Sequence, residues 1–245
     1  MDLTIDFGNT STKIGVFENQ KLTDVLRFKS TELNLDTFVD IVKHNNPQHI
    51  SFLHVTQIQD DILNFLMSLP NTIHFTHHFT LPFVSEYVPY KNIGIDRIAG
   101  VLGATVLYPE NNLLIIQAGT CITYDVYLMN KGHIGGIISP GLDIRNRAMN
   151  TFTYQLPYIS LCEETENDVI GNTTFKSLSS GIVNGAIFEM QGFIEHIQNL
   201  HNVKVIISGG DMKYFVKRIK SPIFANQNIT LFGLKEIIQL YVQKP

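Results

Sequence analysis

Cysteine is scarce in this chain: Cys121 and Cys162 are the only two among 245 residues. They share no metal-ligand spacing and are too few for a disulfide framework, so both read as reduced thiols. A cationic surplus is missing as well. The formal net charge is −4 and no long Lys/Arg run occurs, which removes the electrostatic footprint of a nucleic-acid-binding protein. No stretch approaches the roughly 18 consecutive apolar residues of a membrane helix. The N-terminus has no basic segment leading into an apolar signal region. These absences predict a cytoplasmic protein with neither nucleic acid nor membrane as partner. What is present is a 44% hydrophobic chain, long enough for two modest domains or one large one, with a sizeable core.

Alternation predicts strands near residues 2–7, 12–18 and 22–28, with "ENQK" as the turn, then a helix near 35–45, a strand near 49–55 and a helix near 58–68. A less regular stretch, "TIHFTHHFTLPFVSEYVPYKN", follows. "GIDRIAGVLGATVLYP" comes next, with Ile95, Ile98, Ala99, Val101 and Leu102 suiting a mostly buried helix that ends before Pro109. The opening theme then returns in "NLLIIQAGTCITYDVYLMNKGHIGGIISPG": strand, Gly-Thr turn, strand, turn, strand. Helices near 141–152 and 175–200, a strand at "VKVIIS", a helix after "GGD", a short strand near 222–225 and a helix near 231–243 complete the order. Setting "TIDFGNTSTKIGVF" above "IIQAGTCITYDVYL" aligns Gly8 with Gly119 and Asp6 with Gln117. The chain thus reads as one domain plan used twice, over residues 1–112 and 113–245, with a ligand cleft expected between the halves. Hairpins with Gly-Thr turns are common in unrelated proteins, and that reading stays open.

Asp6, Phe7 and Gly8 spell the Asp-Phe-Gly of protein kinases, but no glycine-rich loop or His-Arg-Asp loop precedes them. Nor is the stretch a Gly-x-x-x-x-Gly-Lys-Ser/Thr loop, because no glycine precedes Lys13 and strand alternation resumes at Ile14. A turn of small residues can bring backbone N–H groups to an anion, and Asn9, Thr10, Ser11 and Thr12 add side-chain donors. Lys13 adds a positive charge. Asp6 at the strand end suits a hydrated Mg²⁺ that bridges phosphate oxygens. The second turn, Gly119 and Thr120, is a candidate for the same polyphosphate. In "GIDRIAG", Asp96 is a candidate proton acceptor for a substrate hydroxyl, and Arg97 a candidate anchor for a polar or anionic substrate. An opposite-charge pair at a helix start can equally serve as a cap or a surface ion pair.

In this order the stretches resemble those of the type III pantothenate kinases, within the superfamily of acetate and sugar kinases, Hsp70 and actin. "DFGNTSTK" looks like the first phosphate motif, "GIDR" the substrate motif, "AGTCITYD" the second phosphate motif, "GGIISPG" the glycine-proline turn and "VIISGGD" the Gly-Gly element near the nucleotide. The resemblance implies an α/β fold of duplicated actin-like (RNase H-like) domains with a central cleft. It implies ATP-dependent phosphorylation of pantothenate to 4'-phosphopantothenate, the first step of coenzyme A biosynthesis, by a homodimer. ATP-binding residues are then Asp6, Phe7, Gly8, Asn9, Thr10, Ser11, Thr12, Lys13 and Thr120, with Asp6 on Mg²⁺. Pantothenate falls to Gly94, Ile95, Asp96 and Arg97, with Asp96 catalytic. Tyr87, seven residues before Gly94, and Thr174, seven before Gly181, are implied substrate contacts, the latter from a neighbouring subunit. Another small-molecule kinase of the same fold, or a non-catalytic regulatory protein derived from it, is the alternative.

One departure stands out. The family usually opens its second phosphate motif with an aspartate associated with a monovalent cation, and this chain has Gln117. An amide brings no charge, so little dependence on K⁺ or NH4⁺ is expected. "YVPY" around Tyr87 also departs from the family's Asn-Pro spacing. His74, His77 and His78 lack acidic or cysteine partners and read as a solvated loop rather than a metal site. Cys121 reads as a small buried residue, and the acidic "CEETEND" at 162–168 as an exposed connection.

Overall fold

The computed structural model describes residues 1–30, 32–161 and 169–242. Cys162 and the acidic stretch 162–168 lie outside the described residues. Contacts divide the chain into two units, Met1–Glu110 with Asn228–Pro245, and Asn111–Gln227.

The first unit opens with β1 (Asp2–Phe7), β2 (Ser11–Glu18) and β3 (Lys21–Lys29), an antiparallel meander. Asn19 takes the left-handed conformation (φ 55°) that a short hairpin turn requires. α1 (Leu35–Asn45), β4 (His49–His54), α2 (Asp60–Ser68) and β5 (Thr72–His74) follow, and both later strands run parallel to β1. The sheet order is β3-β2-β1-β4-β5. Strand alternation sends Leu3, Ile5 and Phe7 into a core with Phe38 and Val42 of α1 and Ile62 and Leu66 of α2. The opposite face of the sheet meets α3 (Ile95–Leu107) and α6 (Ile229–Val242).

The last helix therefore belongs with the first unit, not with the C-terminal half that the simple division at residue 112 implied. Two features hold it there. A Cβ on Gly103 of α3 would collide with the Ile229 carbonyl, and one on Gly233 with the Ala99 carbonyl, so these two glycines let the helix backbones touch. Lys235, only 4% exposed, reaches Asp2 of β1 at 2.5 Å, and His49 Nδ1 meets the other Asp2 oxygen at 3.0 Å. Burial raises the Asp2 pKa, but the Lys235 and His49 hydrogen bonds outweigh it and hold the carboxyl below its ordinary value.

The second unit repeats the plan. β6 (Leu113–Ala118), β7 (Cys121–Leu128) and β8 (Gly132–Pro140) form the meander, followed by α4 (Leu142–Phe152), α5 (Thr174–His201), β9 (Lys204–Ser208) and β10 (Ile223–Ala225). The order β8-β7-β6-β9-β10 matches the first sheet strand for strand. Its core joins Leu114, Ile116 and Tyr124 to Ile182, Ala186, Met190 and Ile194 of α5. The helix expected after "GGD" is only a 3₁₀ turn, Met212–Tyr214, running into further turns. Phe215 and Ile219 are the residues of this segment that the core buries, and N–H groups bond three and four residues back, so no continuous ladder forms.

Candidate active site

Asp6 is the last residue but one of β1, on the face toward α3 and α6, and Lys13 of β2 lies directly across the ladder from it. Paired residues of neighbouring strands share a face. Asp6 is 8% exposed, and its pKa rises to about 6 through burial, with Lys13 opposing and Asp96 adding to the rise. Burial lowers the Lys13 pKa, and Arg27 pushes it the same way while Asp6 and Asp96 oppose. Asp6, Lys13 and Asp96 thus feel one another's charge within the first unit.

The turn after β1 is pinned on both sides. Gly8 N–H donates to Ser11 O (3.2 Å), Ser30 Oγ donates to Gly8 O (2.9 Å) and Ser30 N–H donates to Thr10 O (3.3 Å). Asn9 and Thr10 are exposed at its tip, and Ser11 starts the face that carries Lys13. Phe7 and Thr12 face the other way and are buried; the Phe7 ring packs edge-on against Phe52 at 6.2 Å. Their side chains are turned away from the face that carries Asp6 and Lys13.

Gly94 caps α3, its carbonyl accepting from Arg97 N–H (3.0 Å) and Ile98 N–H (3.2 Å). A Cβ at Gly94 would come within 2.5 Å of Asp96 Oδ1, so the glycine leaves the space that the carboxylate occupies. Asp96 sits in the first turn, where the helix dipole favours its negative charge. Ile95 points into the core. Arg97 is 4% exposed in a largely apolar helix, and its guanidinium stands 5.4 Å from the centre of the Tyr87 ring. The structure therefore brings Tyr87 to the Gly94–Arg97 motif. His77 belongs to the same neighbourhood: its Nε2 meets Ile93 O at 2.8 Å and its ring lies edge-on to Tyr90. His74, on β5, stacks on Phe52 and His54 at 4.5 and 5.0 Å. Neither is the solvated loop residue that the sequence suggested. His78 is exposed, and no cluster suited to a metal ion occurs among the described residues.

In the second unit, Gly119 N–H closes the turn on Cys121 O (3.0 Å), leaving Thr120 exposed. Two motifs distant in sequence wall this turn. A Cβ on Gly141 would strike the Gly119 carbonyl, and one on Gly209 (φ 95°) the Ala118 carbonyl. Gly141 N–H and Asp211 N–H then donate to Thr120 O (3.1 Å) and Ala118 O (3.0 Å). The glycine-proline turn and the Gly-Gly element are thereby both built onto the second Gly-Thr turn. Gln117 stands between Thr123 of β7 and Ser208 of β9. Asp125, two pairs along the same face, is fully buried and meets His133 Nε2 at 2.9 Å. Cys121 is partly buried and forms no disulfide. Thr174 is exposed at the first position of α5, one residue after Thr173, whose hydroxyl caps the helix through Lys176 N–H at 3.2 Å.

Residues 2–196 match a family described as type III pantothenate kinase. A type III pantothenate kinase of Flavobacterium johnsoniae is 37% identical over 241 residues, covering 98% of both chains. One from Flavobacterium psychrophilum is 35% identical over 240 residues, covering 98% of this chain and 99% of the relative. Among solved structures, a protein of Campylobacter jejuni described as a Baf family transcriptional activator superposes with TM-score 0.63 at 22% identity, covering 99% of this chain and 100% of that one. ROK hexokinase from Thermus thermophilus superposes with TM-score 0.56 at 13% identity, covering 98% and 99%. At such identities the superpositions establish the fold, which is the duplicated actin-like α/β plan. By its sequence match along nearly its whole length, the chain belongs to the type III pantothenate kinase family.

Proposed function

We propose that the chain performs its family's reaction with the charged row of the first unit as the reacting centre. That reaction is the ATP-dependent phosphorylation of pantothenate, which opens coenzyme A biosynthesis. The observation that carries the assignment of roles is the facing pair of Asp6 and Lys13 on neighbouring strands, with Asp96 in the first turn of α3 close enough to add to the rise in the Asp6 pKa.

Asp96 accepts the proton of the primary hydroxyl as its oxygen attacks the terminal phosphorus of ATP, and the bond from that phosphorus to the bridging oxygen breaks to release ADP. Arg97, braced by Tyr87, orients the acceptor, and Gly94 keeps the space around the carboxylate open. The Gly8–Ser11 turn and the Gly119–Thr120 turn bind phosphate through backbone N–H groups and small hydroxyls. Asp6 suits Mg²⁺: it is a hard oxygen donor at a strand end, and burial with a second carboxylate nearby holds its pKa near 6, a tension that a bound cation relieves. When bound, Mg²⁺ neutralises charge that builds on the phosphate oxygens. Thr174 contributes to the acceptor site from a second copy in a homodimer. Gln117 leaves the protein little dependent on K⁺ or NH4⁺. Cytoplasmic placement is part of the same proposal; no described helix is long and apolar enough to cross a membrane.

Phosphate transfer from ATP to pantothenate by the purified protein, with Mg²⁺ and K⁺ each present or omitted, is the test. Transfer that needs Mg²⁺ but not K⁺ is expected. Absence of 4'-phosphopantothenate under every condition, with ATP consumed on another alcohol, would assign a different acceptor.

A further inference from the structure

We propose that Arg27 is a phosphate-binding residue of the ATP site, delivered to the charged row by a bulge in the β2–β3 hairpin. The hairpin starts with Glu18 opposite Lys21 and Phe17 opposite Leu22. Continued without interruption, that register would set Leu26 across from Lys13 and turn Arg27 to the other face, because a one-residue slip inverts every side chain. Between Phe17 and Val16 the register shifts: Val16 pairs with Asp24, and Thr23 is the extra residue. The Thr23 hydroxyl donates to Val16 O at 3.1 Å and fastens the bulge. Beyond it, Lys13 pairs with Arg27. Bulges often re-aim a side chain beside an active site.

The delivered guanidinium is also held. Arg27 Nη2 donates to Asn228 Oδ1 at 2.8 Å, immediately before α6. Its charge reaches Lys13. Paired across the ladder, Lys13 and Arg27 set two cations side by side on one face. Two adjacent like charges favour an anionic ligand between them, and the planar fork of N–H donors on Arg27 suits two phosphate oxygens at once.

This inference rests on the reading of the row as an ATP site. Binding of Mg·ATP is measured by titration calorimetry, and initial rates with ATP and pantothenate varied separately, for wild type, Arg27→Gln, Arg27→Lys and Asn228→Ala. Arg27→Gln is expected to weaken Mg·ATP binding and raise the KM for ATP about 10- to 100-fold, the usual worth of a charge-assisted hydrogen bond. The KM for pantothenate should stay unchanged, Arg27→Lys should recover part of the loss, and Asn228→Ala should stay within about threefold of wild type. Wild-type ATP affinity in Arg27→Gln overturns the proposal. So does a full loss in Asn228→Ala, which would make Arg27 a tie between β3 and α6. Should Arg27→Gln fail to fold, Arg27→Met decides: weakened ATP binding supports the proposal and wild-type affinity overturns it. A wild type that binds ATP but phosphorylates no pantothenate overturns the acceptor assignment while leaving the Arg27 titrations decisive; a wild type that binds no ATP overturns both.

Discussion

The first sheet sets Leu53, Asp6, Lys13 and Arg27 in one row across four strands. The equivalent row of the second sheet reads Ser208, Gln117, Thr123 and Ile138. The ladders match in detail: each third strand carries one extra residue, with the register shifting at Val16/Phe17 in the first unit and Val126/Tyr127 in the second. Yet one row holds a carboxylate, an ammonium and a guanidinium, and the other holds no charge. A duplicated backbone therefore does not imply duplicated chemistry. The second turn is instead shaped by glycine, through Gly141 and Gly209 packed against the Gly119 and Ala118 carbonyls. The first turn is thus set beside charge and the second is shaped by close backbone approach.

If the first unit works by charge, removing charge there should cost the most. Asp96→Asn is expected to lower turnover by about 10² to 10⁴, the range of a positioned general base, with little change in folding. Steady-state rates beside a far-UV spectrum check this, and a variant with near wild-type turnover would remove Asp96 from proton transfer. Asp6→Asn should cost about 10² to 10³ in turnover, because an amide supplies no charge to hold a cation against phosphate repulsion. Its Mg²⁺ titration should move to higher concentration. An unshifted curve would assign the metal to another group.

The second row permits the reverse experiment, writing charge in. Gln117→Asp should create or strengthen activation by K⁺, by several-fold at constant ionic strength, since a carboxylate attracts a hard cation that an amide addresses only through its dipole. The competing case is compensation by Asp125, which is fully buried two pairs away and bonded to His133. Initial rates with K⁺ exchanged for a bulky organic cation separate the cases. Strong K⁺ activation of the unmodified protein would show that the neutral row is sufficient for a cation.

Much of this contrast could be read from the chain. Strand alternation, two Gly-Thr turns and "GIDR" placed Asp6, Lys13, Asp96 and the repeated meander, because each is a local pattern of period or spacing. Arg27 could not be read this way, since its position depends on one bulged residue that alternation does not reveal. Ser30 was missed because its bonds to Gly8 and Thr10 bridge the meander rather than neighbours in sequence. The allegiance of α6 rests on Gly103, Gly233 and the Lys235–Asp2 pair, partners more than a hundred residues apart. Phe7 and Thr12 were legible and overlooked: the alternation that turns Asp6 and Lys13 one way turns these two inward.

The smallest effect concerns a carboxylate near the second turn, Asp211. Asp211, whose N–H bonds Ala118 O, has its pKa raised to about 6 by burial, with Asp143 adding to the rise and Lys213 opposing. The unfolded value is 3.8. A raised carboxyl favours folding while protonated, so its stability contribution is present below pH 3.8 and is lost as pH rises through 6. At pH 7.5 the ionised group is then a cost. The shift alone corresponds to about 3 kcal/mol, and solvent screening of a partly exposed group reduces this to about 1 kcal/mol. Asp211→Asn should therefore raise Tm by about 2–4 °C at pH 7.5, a gain that disappears as the pH falls below about 4. Thermal unfolding of both proteins at several pH values measures it. A Tm that falls at pH 7.5 would show that the carboxylate is stabilised by contacts that outweigh its burial. If Tm rises while turnover drops, the second unit does contribute a charge to the reaction, outside its neutral row and at a cost in stability.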